Sequence, residues 1–507
     1  MIVFVVSFTI YTLLIVMVGV LAGRDAGRDQ ESYFLGGRTL GPWVAALSAG
    51  ASSESGWLTL GLVGWAFTSG VSAYWILPGV LLGYLFNWTV LAGRLRSESE
   101  RLGAITIPDY LAFRFGESNA DDRNRLPIVR LLSVLVILVA MWMYVGAQFA
   151  AAGKAFEAAF GMNYLAGVGL GAAIVLLYTV IGGFRSACWT DFIQALVMIL
   201  ALVAFPAWML FEAGGMGFIQ SSLAEVEDGR LLTFWPEKTG LAFFGFLFGS
   251  GALGVNFGYP GQPHVLVRFL ALRRRRDAIA GAVISLTWGT LVLAGAVTLG
   301  LLARSYTVTE AAWTAGLSVE LAEGAGDAGQ TALVLSASAL LPGMLSGVVL
   351  AAVLAAICST ADSQLVVAAS AAANDIYSRL IRPGRSSSMV NRITVLVLGI
   401  SAIGLAVDPD LNLFSFVLDY GWAILGAGFG PQVLLALYWK NATRAGAIAG
   451  IVTGFLIALG WNQLYDAELA ARTGVELYNL PVAFVAALVA NVVTSLLTSG
   501  SETRVAG

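Results

Sequence analysis

The chain of 507 residues is 58% hydrophobic and 12% charged, with a mean hydropathy of +0.81; soluble domains are roughly a quarter charged and under about half apolar, so a soluble enzyme is excluded. Its 28 Lys and Arg against 31 Asp and Glu leave a net charge of −3, too small and too sparse for a nucleic-acid partner. Two cysteines, Cys188 and Cys358, and one histidine, His264, supply neither a disulfide framework nor the ligands of zinc, haem or iron–sulfur chemistry.

Charge is expensive in a hydrocarbon core about 30 Å thick, which takes roughly 20 apolar residues per helix, so long charge-free intervals read as membrane spans. They run from Met1 to Arg24, Arg38 to Arg94 (interrupted only by Glu54), Arg130 to Lys154, Glu157 to Arg185, Asp191 to Glu212, Lys238 to Arg268, Asp277 to Arg304, Asp327 to Asp362, Arg392 to Asp408, Asp419 to Lys440, Arg444 to Asp466 and Glu476 to Glu502. A turn at Thr68–Ser72 splits the second interval into Trp43–Phe67 and Ala73–Leu91, which predicts an all-α polytopic membrane protein of 13 transmembrane helices. With the amino terminus outside and the carboxyl terminus cytoplasmic, 23 of the 28 Lys and Arg fall inside, as positive residues do in short cytoplasmic loops. The first span lacks a positive leader and a small-residue cleavage site, so it reads as a retained helix. No hydrophilic stretch is long enough for a separate soluble domain, and residues 1–507 read as a single membrane domain.

Two spans are interrupted. The second carries a polar, glycine-containing run from Ser48 to Trp57, and the seventh carries Gly254 to His264 with Pro260 and Pro263 inside it. They stand five spans apart, so spans two to six and seven to eleven read as two inverted repeats, each opening on a broken helix, with a transport site at their interface. Carbonyls and amides freed by unwinding require a substrate, an ion or buried protein as partners. Glycine packing with a proline kink is the plainer alternative.

In the ninth span Ala356, Ser359, Thr360 and Ser363 fall on one helical face, lined with oxygens. A small hard cation such as sodium takes several oxygen ligands, and two hydroxyls with carbonyls of an unwound neighbour can supply them; bonding of the hydroxyls back to their own helix is the competing reading. Glu54, Asp191 and Asp362 lie at or near membrane depth, where an acid requires a partner. No internal Lys or Arg is expected beside them, which leaves a cation, a proton or hydroxyl donors; Asp191 can also cap a helix amino terminus.

Tyr33 to Pro42, Ala49 to Ser52, Ser55 to Trp57, Tyr178 to Phe184, Trp189 to Asp191, Gly261 to His264, Ser359–Thr360 and Gly426 to Pro431 together resemble the sodium:solute symporter family, in order and over nearly the whole chain. Within it the proline-transporting bacterial members are the most similar. The resemblance implies a leucine-transporter-type 5+5 inverted repeat over about residues 42–440, with an extra first helix in 1–23 and two C-terminal helices in about 445–498. It implies a sodium site made by the carbonyls of Ala51, Glu54 and Ala356 with the hydroxyls of Ser359 and Thr360. A second sodium, present in some members, would fall on Asp191, Ser359, Asp362 and Ser363. Substrate would lie near Ser55, Gly56, Trp57, Tyr144, Tyr259, Gln262 and Pro263.

Two departures stand out. Ser53 replaces an aspartate of the proline-transporting members while the next residue, Glu54, restores a carboxylate one position on, about 100° around a helix. Val255 stands where those members have a tryptophan expected to pack on the substrate. The resulting expectation is sodium-coupled uptake of a small solute, L-proline or else another amino acid or organic anion, by alternating access in the bacterial inner membrane. Sodium, the solute and membrane lipid are the expected partners, with no obligate protein partner and no covalent chemistry. A transporter-fold sensor is the rival, and no kinase-like segment follows the last span.

Overall fold

A computed structural model describes residues 2–23, 30–117, 126–181, 183–235, 240–308, 328–383, 385, 388–465, 472, 474–475 and 477–499. Among them there is no strand, only an isolated bridge between Leu40 and Leu272. Beside shorter helices at Gln30–Leu35, Ile107–Arg114 and Met216–Ala224, the principal helices are α1 (Ile2–Ala22), α2 (Pro42–Ser53), α3 (Trp57–Leu102), α4 (Ile128–Phe160), α5 (Tyr164–Ile181), α6 (Phe184–Glu212) and α7 (Gly240–Leu247). There follow α8 (Pro263–Leu270), α9 (Asp277–Tyr306), α10 (Ala328–Leu340), α11 (Gly343–Ile381), α12 (Ser388–Ile403), α13 (Leu413–Tyr438), α14 (Arg444–Leu464) and α15 (Asn479–Thr498). Nine helices among the described residues are long and apolar enough to cross a membrane, and Val6–Ala22, Tyr164–Val180 and Gly329–Leu340 are shorter apolar ones.

The turn expected at Thr68–Ser72 lies inside α3. Helical turns continue from Trp57 to Leu102, but Gly70 ends the first segment at φ +70° and ψ −149°, a conformation that favours glycine. A Cβ there would also stand 2.1 Å from the carbonyl oxygen of Leu231.

Apolar side chains on the outer helices, among them Ile10, Leu13 and Met17 of α1 and Val489, Val493 and Leu497 of α15, face outward, as lipid-facing positions do. α11 is the opposite case: almost every residue from Ser346 to Ser370 is buried, which places the oxygen-lined face of the ninth span at the centre of the bundle. It touches α2, α4 and α6.

Both interruptions are real. α2 stops at Ser53, three residues separate it from α3, and a 3-10 turn over Leu253–Gly261 separates α7 from α8. At one end of the bundle Leu40 N donates to Ala271 O at 3.1 Å and Arg273 N to Leu40 O at 2.9 Å. Arg38 lies over the same junction, donating to Leu270 O and Ala104 O at 2.8 Å each and to Ser99 Oγ at 3.0 Å. On the far side of the breaks lies a cavity of about 280 Å³, lined by Trp65, Ser250, Asp419, Trp461 and Asn479 among others.

Candidate functional site: two broken helices and an oxygen-lined face

An α-helix leaves its last four carbonyls without intrahelical donors, and at the end of α2 these carbonyls meet side chains. Ala51 O accepts from Ser359 Oγ at 2.9 Å and from Thr360 Oγ1 at 3.3 Å. Ser52 O accepts from Thr360 Oγ1 at 3.2 Å, and Ser53 O from Trp57 Nε1 at 3.1 Å. Ser359 Oγ also reaches Ala356 O at 3.1 Å, the back-bond that was the competing reading, but its shorter contact crosses to α2. The structure therefore brings together Ala51, Ala356, Ser359 and Thr360, all buried. Glu54 begins the break beside them, and its carboxylate turns the other way: Oε1 accepts from Tyr84 at 2.9 Å and from Tyr259 at 3.3 Å, while Oε2 is buried without a hydrogen-bond partner.

The start of α3 is held by a residue that sequence reasoning missed. Gln148 of α4 accepts from Gly56 N at 3.0 Å through Oε1 and donates to Ser55 Oγ at 3.3 Å through Nε2. A lone amide in an otherwise apolar stretch of α4, fully buried, was the available signal. Gly56 permits this approach, since a Cβ there would stand 2.8 Å from Ala151 Cβ.

At the second break Gln262 Nε2 donates to Gly258 O at 3.2 Å and to Trp422 O at 2.9 Å. Trp422, from α13, donates from Nε1 to Val255 O at 3.0 Å, and its ring stands edge-on to Tyr259 with centroids 4.7 Å apart. Pro263 opens α8 at a position where its missing N–H costs nothing. Tyr144 is buried with its hydroxyl unpartnered and its ring edge-on to His264 at 6.0 Å. Val255 is placed differently from the expectation: its Cγ1 packs on Gly79 of α3, so its side chain points at a neighbouring helix. Trp422 supplies an indole to this region from another element.

The second set also comes together, but around a partner that was not expected. Asp191 Oδ2 accepts from Ser48 Oγ at 2.6 Å and Ser52 Oγ at 3.2 Å, and Ser52 Oγ lies 3.1 Å from Ser363 Oγ. Arg268, fully buried, pairs with the same Asp191 oxygen at 2.9 Å. The expectation that no internal Lys or Arg is available is thus corrected. Arg268 had marked the end of the seventh span, whereas the folded α8 is buried along its whole length. Asp362 is buried nearby with neither carboxylate oxygen hydrogen-bonded.

The arrangement offers carbonyl and hydroxyl oxygens, one flanking carboxylate, and helix ends facing a shared interior. It can hold a hard cation and a small polar solute. Comparison with known proteins agrees with that chemistry. Residues 33–454 match the profile of the sodium:solute symporter family. The chain is 38% identical over 462 residues to a sodium/proline symporter of Escherichia coli (strain K12), covering 90% of this chain and 87% of that one. It is 34% identical over 501 residues to a sodium/proline symporter of Staphylococcus aureus (strain JH9), covering 97% and 92%. Among solved structures it is similar in fold to a Na+-coupled sialic acid symporter in a substrate-bound outward-open state, with a TM-score of 0.74, 20% identity and coverage of 98% and 97%. A nucleobase-cation-symport-1 family transporter in a closed conformation aligns at a TM-score of 0.52 with 13% identity, covering 93% and 95%.

Proposed function

The chain belongs to the sodium:solute symporter family, and from that premise we propose that it couples inward sodium movement to uptake of L-proline through the two breaks. The observation that carries the reading is the meeting of Ser359 and Thr360 with the end carbonyls of α2. Each hydroxyl now donates to a carbonyl. Rotation about its C–O bond turns its lone pairs inward with those of Ala51 O and Ala356 O, and the four oxygens, with the Glu54 carbonyl, form the shell a sodium ion takes. An ion held there ties α2 to α11. Coupling follows if that tie favours the arrangement competent to bind solute, since a ligand shifts an equilibrium only by its differential affinity for the two states.

The solute carboxylate is assigned to the amino-terminal end of α3, where Gly56 N–H now donates to Gln148 Oε1; helix amino termini favour anions. Tyr259 and Trp422 offer ring surface for an apolar five-membered ring. The Glu54 carboxylate, turned to Tyr84 and Tyr259, lies towards the second break and away from the sodium shell.

By the distribution of positive residues, the end latched by Arg38 and Leu40 is cytoplasmic, the amino terminus is outside and the carboxyl terminus is inside. The chain is then a multi-pass protein of the bacterial inner membrane with 13 crossings, sealed within and approached from outside through the cavity beside Asp419. Inward sodium movement gains about 2.3 kcal/mol per charge per 100 mV, about fifty-fold in accumulation.

The test is uptake of labelled L-proline by purified protein in liposomes under a sodium gradient, with unlabelled amino acids and organic carboxylates as competitors. L-proline is expected to be the strongest competitor. A stronger effect from another solute would move the substrate assignment and leave the sodium site standing.

A further inference from the structure

The turn from α8 into α9 carries four arginines in a row, Arg273 to Arg276, and all four are exposed. Arg273 reaches Asp277 at 3.5 Å, and among the described residues no carboxylate pairs with Arg274, Arg275 or Arg276. α3 adds to the same patch. Arg275 lies over Gly93, where a Cβ would stand 3.1 Å from Arg275 Cγ, and the next residue, Arg94, is exposed with its guanidinium carbon 4.4 Å from the ring centre of Tyr438. The acids that follow in α3 are engaged elsewhere, Glu98 with Arg101 and Glu100 with Arg96. Beyond the patch the same two helices turn apolar side chains outward, Ile279 and Val283 on α9 and, deeper, Leu85 and Leu82 on α3. Guanidinium groups that rim a lipid-facing surface stand at headgroup depth, where an exposed tyrosine such as Tyr438 also sits.

We propose that Arg94 and Arg274 to Arg276 bind the headgroup phosphate of an anionic phospholipid in the adjoining leaflet, the cytoplasmic one in the orientation proposed above. Only the naming of the leaflet rests on that orientation. A guanidinium fork meets two phosphate oxygens at once, and several unpaired forks on one short turn concentrate positive charge where the phosphates of the bilayer lie. A free anion meets the same groups but has no acyl chains to lay along Ile279 and Val283. The turn is also placed to pass an effect on: Arg273 N donates to Leu40 O, and Arg96 Nε donates to the carbonyl of Leu272. A lipid held on the arginines therefore steadies the pairing between the chain before α2 and the end of α8, which is the junction latched by Arg38.

The test mixes the purified full chain, in neutral detergent, with phosphatidylglycerol, phosphatidylcholine or inorganic phosphate. Bound lipid is counted by native mass spectrometry and the thermal midpoint is recorded. Phosphatidylglycerol should be retained about tenfold more than phosphatidylcholine and should raise the midpoint, as a ligand of the folded state does; inorganic phosphate at the same concentration should neither raise the midpoint nor displace the lipid. Arg274→Gln, Arg275→Gln and Arg276→Gln combined change only exposed side chains, so the lipid-free midpoint should hold while most of the preference is lost. The same three positions changed to lysine, Arg274→Lys, Arg275→Lys and Arg276→Lys, should keep more of it than the glutamine variant. Equal retention of the two lipids by the wild-type chain, or undiminished retention of phosphatidylglycerol by the glutamine variant, overturns the proposal. Displacement of the lipid by inorganic phosphate overturns it too, in favour of a free anion. Neither sodium nor transport enters these measurements, so a failure of sodium coupling is recognised separately, as absent uptake with lipid retention unchanged.

Discussion

Removing the Ser359 hydroxyl isolates the contribution of one oxygen to ion binding. In the folded chain that oxygen is buried, 2.9 Å from Ala51 O and 3.1 Å from Ala356 O. Ser359→Ala therefore deletes a ligand and leaves a carbonyl facing a methyl group. Leaving one buried polar partner unsatisfied costs about 1–3 kcal/mol, and a cost of that size, at 1.4 kcal/mol per decade, raises the sodium concentration for half-maximal uptake about 5- to 150-fold. Thr360→Ala, which loses contacts to Ala51 O and Ser52 O at 3.3 and 3.2 Å, should fall at the lower end. The assay is initial uptake rate against sodium at saturating solute, in liposomes of matched protein content. Solute half-saturation measured at saturating sodium should move much less. If both variants kept the parental sodium half-saturation at normal folded yield, the ion site would lie elsewhere.

Gln148→Ala should raise the solute half-saturation about tenfold while the sodium half-saturation at saturating solute stays nearly constant, because it frees the Gly56 amide and Ser55 hydroxyl at the solute end of the break. Gly258→Ala places a Cβ 1.9 Å from Trp422 Nε1, so it should abolish uptake and lower the thermal midpoint of the purified protein by several degrees; unchanged melting and transport would mean that the second break does not seat on α13. Val255→Trp should lower the yield of folded protein, not sharpen selectivity, because Val255 packs on Gly79 and overpacking costs about 1–3 kcal/mol. Phe414→Ala removes the ring stacked on Trp65 at 5.0 Å and edge-on to Trp57 at 6.0 Å, and should speed labelling of a cysteine introduced at Ser55 by an external thiol reagent.

Features written into local composition were legible in the sequence. Charge spacing marks the spans because charge in lipid is costly wherever the neighbours are, and glycine and proline mark the breaks because backbone geometry is local. The facing of Ser359 and Thr360 was legible for the same reason: it follows from helical periodicity alone. Arg268 was not legible, because it lies at the edge of a charge-free interval, where an arginine in water and an arginine paired in the interior look identical. The burial of α8 from Pro263 to Leu270 and the latch of Arg38 over Leu270 show that this edge is interior. The direction of Val255 was hidden because the 3-10 turn from Leu253 to Gly261 breaks the periodicity that a helix would have supplied. Trp422 reaches the second break from more than 150 positions away in the chain, and Gln148 reaches the first from more than 90. Such contacts come from packing, which a single sequence does not record.

The central claim is that a sodium gradient drives solute accumulation through these two breaks, and accumulation is its most direct measure. Purified protein in liposomes with an inward sodium gradient and an inside-negative potential should concentrate labelled L-proline above its external level. The accumulated label should leave when an ionophore collapses the sodium gradient. Equal accumulation with potassium replacing sodium on both sides, or accumulation driven by a proton gradient alone, would contradict the account.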